Sequence, residues 1–156
     1  MSNRKMVTPE IARGVAQACL CLHVQRAARA LARHFDDVFR PLGITGGQYS
    51  LLMSLNRPGA PTITETADFL AMDRTTLTAA LKPLERRKLV AIKVDEDDRR
   101  SRRLELTPAG RALLAKAYPL WCEAHGAVEA GVAPSGAGPM RNELGRLVKM
   151  LEHASR

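Results

Sequence analysis

Between residues 8 and 40, apolar side chains return every three or four positions. They are Ile11, Val15, Cys19 and Leu22, then Val24, Ala28, Leu31, Phe35 and Val38. That spacing is helical. Thr8-Pro9-Glu10 opens it with a capping threonine, a proline at the first helical position and an acid in the first turn. The stripe changes phase near Leu22–Val24, which predicts more than one buried face. A single helix from Thr8 to about Arg40 would be about 45 Å long. That exceeds the width of a small domain, so a partner subunit is the economical support for it.

The pattern then shortens. A turn at "LGIT" leads to a second helix from Thr45 to about Asn56, closed by Pro58-Gly59. Thr62 and Glu65 stand at capping-box spacing and start a short helix ending near Met72. Asp73 caps the next helix, which runs to about Lys88. Two short helices joined by so tight a turn form a helix-turn-helix. Val90, Ile92 and Val94, and later Leu104 and Leu106, alternate with small or charged residues, as strands with one apolar face do. They flank a charged tip of about seven residues, so the pair is read as a hairpin. Thr107-Pro108 repeats the helix-start pattern and opens a long helix, interrupted or kinked at Pro119. "GVAPSGAGP" is a loop, and Pro139 begins a last helix with Met140, Leu144, Leu147, Val148 and Leu151 on one stripe.

The expected fold is therefore mainly α with a small β-hairpin wing. One domain would span residues 1–156. A winged helix-turn-helix lobe occupies about 41–107, and dimerisation helices occupy about 8–40 and 108–156.

Charge sharpens the picture. Of the 156 residues, 24 are Lys or Arg and 16 are Asp or Glu, a net charge of +8. Such an excess favours a polyanionic partner, nucleic acid first and an acidic membrane surface second. No apolar run approaches the ~20 residues of a membrane span. "MSNRKMVTPE" has no apolar core of a secretory signal. Three cysteines at irregular spacing do not make a disulfide framework, which suits a reduced, cytoplasmic protein. There is no nucleophile elbow, phosphate-binding glycine loop or paired-carboxylate motif, so an enzyme is not expected. No cofactor and no metal site are expected either.

The order of these elements, with "LGITGGQYSLLMSL", "MDRTTLTAALKPLERRKLV" and "DEDDRRSRRLELTPAGRALL", resembles the MarR family of transcriptional regulators. The resemblance covers nearly the whole chain and is strongest over 41–55 and 68–114. It implies a homodimer with intertwined first and last helices, each subunit offering a winged helix to double-stranded DNA at a pseudo-palindromic operator. The helix from Asp73 would enter the major groove. Arg74, Thr75, Thr76 and Thr78 lie in its first turns, where such helices reach base edges, and Lys82, Arg86 and Arg87 suit phosphates. Leu77, Leu81 and Leu84 belong to the core. In the wing, Asp98-Arg99-Arg100 matches the family's Asp-x-Arg. Arg100 would enter the minor groove, with Arg102 beside it, and Asp98 would hold an arginine side chain by a charge-assisted hydrogen bond. The family often has arginine where Asp97 stands and glycine where Lys88 stands. Lys88 would then carry a left-handed backbone at a cost of about 1 kcal/mol. Pro83, inside the recognition helix, removes one backbone bond.

The resemblance also implies a signal. Its commoner form is a small aromatic or anionic effector bound between the dimer helices and the winged lobe, with Arg29, Tyr49 and Met53 as candidate lining residues. A repressor released by such an effector is the expected function. The alternative is thiol-based redox sensing by Cys21 or Cys19, because Cys21 falls at the reactive position of the hydroperoxide-sensing branch. That branch's tyrosines are replaced here by Gln25, Phe35 and Gly46. Cys19 and His23, four apart on one helix, would share a face, while Cys19 and Cys21 would point about 200° apart. Simple packing remains the commonest use of such thiols. Cys122, beside Trp121, is read as structural, and His34, His125 and His153 have no sequence partners that suggest catalysis.

Overall fold

A computed structural model describes residues 7–132 and 136–154. The opening residues 1–6 and the centre of the 131–139 loop lie outside it. The elements follow in the order α1 (Pro9–Ala18), α2 (Leu20–Phe39), a 3₁₀ turn (Arg40–Leu42), α3 (Gly46–Ser54), α4 (Ile63–Phe69), α5 (Arg74–Arg86), β1 (Val90–Val94), β2 (Arg102–Leu106), α6 (Pro108–Val132) and α7 (Gly138–Ala154).

The local signals work by satisfying backbone groups. The hydroxyl of Thr45 accepts from Gln48 N–H while the Gln48 side chain accepts from Thr45 N–H. Thr62 and Glu65 form the same reciprocal pair at α4. Asp73 Oδ1 caps α5 at Thr76 N–H, 2.8 Å away. Thr107 does two jobs at the head of α6. Its hydroxyl accepts from Gly110 N–H at 3.0 Å and donates to the Lys88 carbonyl at 2.7 Å. The helix start is thereby tied to the end of the recognition helix.

Two helix ends use left-handed residues that are not glycine. Lys88 has φ 56° and Ala71 has φ 51°. At α5, Leu89 N–H reaches Leu84 O and Lys88 N–H reaches Glu85 O. At α4, Met72 N–H reaches Ala67 O and Ala71 N–H reaches Asp68 O. Both are Schellman closures, in which the orphan carbonyls of the last turn are satisfied at the cost of one strained residue. Ala71 makes the turn of the helix-turn-helix, and nothing in its residue type announces it.

β1 and β2 pair antiparallel, Val90 with Leu106, Ile92 with Leu104 and Val94 with Arg102. At the lobe end of the hairpin the even-numbered positions look inward, while Val94 and Arg102 at the tip end are exposed. Leu104, Val90 and Leu106 join Phe39, Leu52, Leu77, Leu81 and Leu84 in one buried core. Gly110 lets α6 close on that core, because a Cβ there would lie 2.2 Å from the Leu89 carbonyl oxygen.

Two expectations need correction. The first helix is not continuous. Cys19 has extended backbone (ψ 102°), its N–H closes α1 on Val15 O, and its Sγ accepts from Leu22 N–H at 3.4 Å to start α2. The break at Cys19 falls close to the change of phase in the apolar stripe. Conversely, α6 runs uninterrupted through Pro119. Trp121, two residues on, stacks against Tyr49 at 6.4 Å and His125 at 4.3 Å. Those contacts pack the turn that follows the proline, which has removed one backbone bond.

Candidate nucleic-acid interface

The recognition helix buries Leu77, Leu81 and Leu84, half-buries Ala80 and Pro83, and leaves its other residues exposed. Arg74, Thr75, Thr76, Thr78, Lys82 and Arg86 are all exposed. They are not equivalent. The Thr76 hydroxyl donates to Asp73 Oδ2, and the Thr78 hydroxyl donates to the Arg74 carbonyl at 2.7 Å. Among the described residues, Thr75 has no side-chain hydrogen-bond partner, and Arg74, Lys82 and Arg86 make no side-chain hydrogen bond or ion pair. Asp73 itself is held below the usual carboxylate range, first by the Thr76 hydroxyl and then by the Thr76 N–H. The cap therefore stays charged, and its ion-dipole contact with the helix start persists.

Arg87, expected to suit a phosphate, is exposed and makes a contact within the protein. Its Nη1 donates to the Gly43 carbonyl at 2.6 Å, fastening the end of α5 to the turn before α3.

The wing tip differs from expectation in which group each acid holds. Among the described residues, Asp98 binds no arginine side chain. Its Oδ1 accepts from the Arg100 backbone N–H at 3.0 Å, and its Oδ2 accepts from the Ser101 hydroxyl at 2.8 Å. Aspartate is short, so two residues along it meets the backbone of a turn before it can reach a guanidinium. The ion pair belongs instead to Asp95 and Arg103. Asp95 is 4% exposed and also accepts from Asp97 N–H (2.8 Å) and Asp98 N–H (3.0 Å). Those amides, Asp98 first, hold its carboxyl below the usual range, and Arg103 adds to the effect. The tip arginines Arg99 and Arg100 are exposed, and Arg102 Nη1 folds back on the Arg99 carbonyl at 2.9 Å. Sequence reasoning passed over Asp95 and Arg103. Their signal is the period-two register: Lys93 pairs with Arg103, and Asp95, two residues on, is its diagonal neighbour on the same face.

The candidate effector residues are dispersed. Tyr49 is buried and faces a cleft of about 280 Å³ between α2, α3 and Trp121. Burial pushes its phenol up. Met53 lines a different cleft of about 380 Å³ with Arg111 and Tyr118. Arg29 is exposed on α2 with Nη1 3.4 Å from Gln25 Oε1.

The helix break also rearranges the thiols. Because Cys19 has left helical geometry, it shares no helix face with His23, whose Nε2 lies 3.0 Å from the Gln17 carbonyl instead. The 200° separation expected of Cys19 and Cys21 does not apply for the same reason. Cys21 is exposed, and Gln25 Nε2 donates to its sulfur at 3.2 Å. Among the described residues no cluster of three His, Cys, Asp or Glu could hold a metal, and no helix is long and apolar enough to cross a membrane.

Known proteins share this arrangement. The sequence model of the MarR family matches residues 44–101, which run from α3 through the recognition helix to the wing tip. The organic hydroperoxide resistance transcriptional regulator of Bacillus subtilis (strain 168) is 32% identical over 101 residues, 65% of this chain and 69% of the relative. Among solved structures, the M. tuberculosis transcriptional regulator MosR in complex with DNA superposes with a TM-score of 0.79 at 35% identity, covering 87% of this chain and 98% of MosR. The transcriptional repressor CouR bound to a 23-mer DNA duplex gives 0.67 at 29% identity, over 92% and 96% of the two chains. Identity above 30% across more than two thirds of a curated relative, joined to this fold, places the chain in the MarR family of winged-helix transcriptional regulators.

Proposed function

We propose that the protein is a homodimeric, cytoplasmic DNA-binding repressor that a small effector releases from a pseudo-palindromic operator. The observation that carries this reading is the pairing of two cationic elements on one lobe. The exposed face of α5 offers Arg74, Thr75, Lys82 and Arg86, and the wing offers Arg99, Arg100 and Arg102. A helix N-terminus suits base edges, and an arginine-bearing hairpin suits the adjacent minor groove. MosR and CouR have each been captured on DNA, and CouR is itself a repressor.

The dimer is supported by the ends of the chain. Ile11, Val15, Leu20, Met140, Leu144 and Met150 are exposed, and the start of α2 and α7 enclose an apolar groove of about 520 Å³. A second copy would cover that surface. The cleft beside Tyr49 is the place proposed for an aromatic or anionic effector, since it lies between α2 and the lobe.

Selection of preferred duplexes from a random pool tests the reading. The expected winners are pseudo-palindromes with half-sites about 34 Å apart, one turn of DNA. With 6–10 phosphates neutralised, affinity should fall about 10³–10⁵-fold between 50 and 200 mM salt. A monomeric protein, or one with no preferred duplex, would end it.

A second reading has its own support. Cys21 is exposed, Cys19 sits at the break between α1 and α2, and one relative is a regulator of organic hydroperoxide resistance. In that reading, oxidation of either thiol releases DNA. Repeating the selection with an organic hydroperoxide, on the wild type and on Cys21→Ser and Cys19→Ser, separates the two signals.

A further inference from the structure

We propose that Arg103 is a positioning residue for DNA binding: held between the buried Asp95 carboxylate and the Ala60 carbonyl, it sets where the wing tip stands relative to the helix-turn-helix. The inference rests on the DNA-binding reading and adds a role that neither the recognition helix nor the tip arginines perform.

The geometry makes one side chain a junction. Arg103 Nε pairs with Asp95, and its Nη1 donates to Ala60 O at 2.8 Å. The backbone follows the same route. Arg103 and Thr62 form an isolated antiparallel bridge, and Leu104 N–H donates to Pro61 O at 2.8 Å. Residues 60–62 lead directly into α4, whose cap is Thr62. Arg103 thus joins the wing to the first residues of the helix-turn-helix. A guanidinium can do this because its donors point along fixed, divergent directions; an ammonium cannot.

Asp95 joins the same junction to the tip. One oxygen takes the amides of Asp97 and Asp98, and the other takes Arg103. Asp95 N–H also donates to Ser101 O at 3.1 Å, closing the base of the tip. The loop that carries Arg99 and Arg100 is therefore shaped by the same carboxylate that holds Arg103. Fixing that loop before DNA arrives spares part of the entropy of ordering it on the duplex. With Nε and Nη1 both engaged inside the protein, Arg103 is not counted among the phosphate contacts.

Asp95→Asn gives a test in which sign, not size, decides. Asparagine keeps a carbonyl oxygen for the two tip amides and loses the charge that holds Arg103. It also adds one positive charge to each subunit's wing. Charge alone predicts tighter binding to any duplex. The clamp predicts binding to the selected duplex weakened about tenfold or more. Hydroxyl-radical footprints should lose protection at the flanks touched by the wing and keep it at the major groove. Arg103→Lys keeps the net charge, and it should lose the same flank protection. It serves as the second variant if Asp95→Asn does not fold by circular dichroism. Wild-type footprints retained in the folded variants, with affinity equal or higher, overturn the clamp alone. A wild-type protein that selects no duplex overturns the DNA reading and the clamp together.

Discussion

The winged lobe and the two ends of the chain are built from the same kinds of residue and treat them in opposite ways. In the lobe, Leu52, Leu77, Leu81, Leu84 and Leu104 are fully buried, and among the described residues no buried side-chain nitrogen or oxygen lacks a hydrogen-bond partner. At the ends, Val15, Leu20, Met140 and Met150 are each more than half exposed, and no residue of α1 is buried. Scattered exposed leucines are ordinary, but a groove of about 520 Å³ lined by Leu20, Val24, Met140, Leu144, Leu147 and Met150 is not scattered. The lobe is complete as one chain. The ends are complete only in the proposed dimer.

The contrast can be broken at several points. The largest expected effect lies in the lobe. Leu104→Ala removes a fully buried side chain from under the wing and should cost about 2–5 kcal/mol. Denaturant unfolding should show that loss at every protein concentration. The next is at the ends. Leu144→Ser on α7 would change an isolated subunit by no more than about 0.5 kcal/mol. If a second copy covers that stripe, the dimer dissociation constant should instead rise about tenfold, as read by sedimentation equilibrium. An unchanged association constant would mean that something else covers α7. The smallest effect is acid-dependent. Asp73, Asp95 and Glu65 are all held below their usual range by hydrogen bonds of the folded lobe. Their folded affinity for protons is thus weaker than their unfolded affinity. The stability they add is fully present above the unfolded values, about pH 4, and drains away as pH falls through the lower folded ones. A lobe midpoint that stays level from pH 5 to pH 3, followed by amide exchange at the α4 and α5 starts, would count against those bonds.

Local reading went furthest where the chain solves its own problem. Thr45, Thr62, Asp73 and Thr107 each cap the helix that follows them, because a hydroxyl or carboxylate three residues upstream is the nearest acceptor available. The hairpin register was equally legible, since a slip of one residue would expose Leu104 and Leu106. Reading failed where a side chain had several reachable partners. Asp98 and Asp95 are both wing acids, and only the fold of the tip decides that Asp98 takes backbone while Asp95 takes Arg103. Nothing in the sequence near Arg87 announces its bond to the Gly43 carbonyl, 44 residues away. The three effector candidates were grouped by sequence alone, and the fold sends Tyr49 and Met53 to different clefts.

Alternation and spacing by themselves determined which segments are helices or strands, which faces turn inward and that the chain is a winged helix with long flanking helices. Those properties follow from contacts within a few residues, where the backbone geometry is known in advance. Only the tertiary structure decided that the first helix breaks at Cys19, that α6 passes Pro119 and that Arg103 rather than Arg100 is the paired arginine. Each of those depends on a partner brought close from elsewhere in the chain or on a competition between equivalent local bonds, and sequence distance does not rank such options.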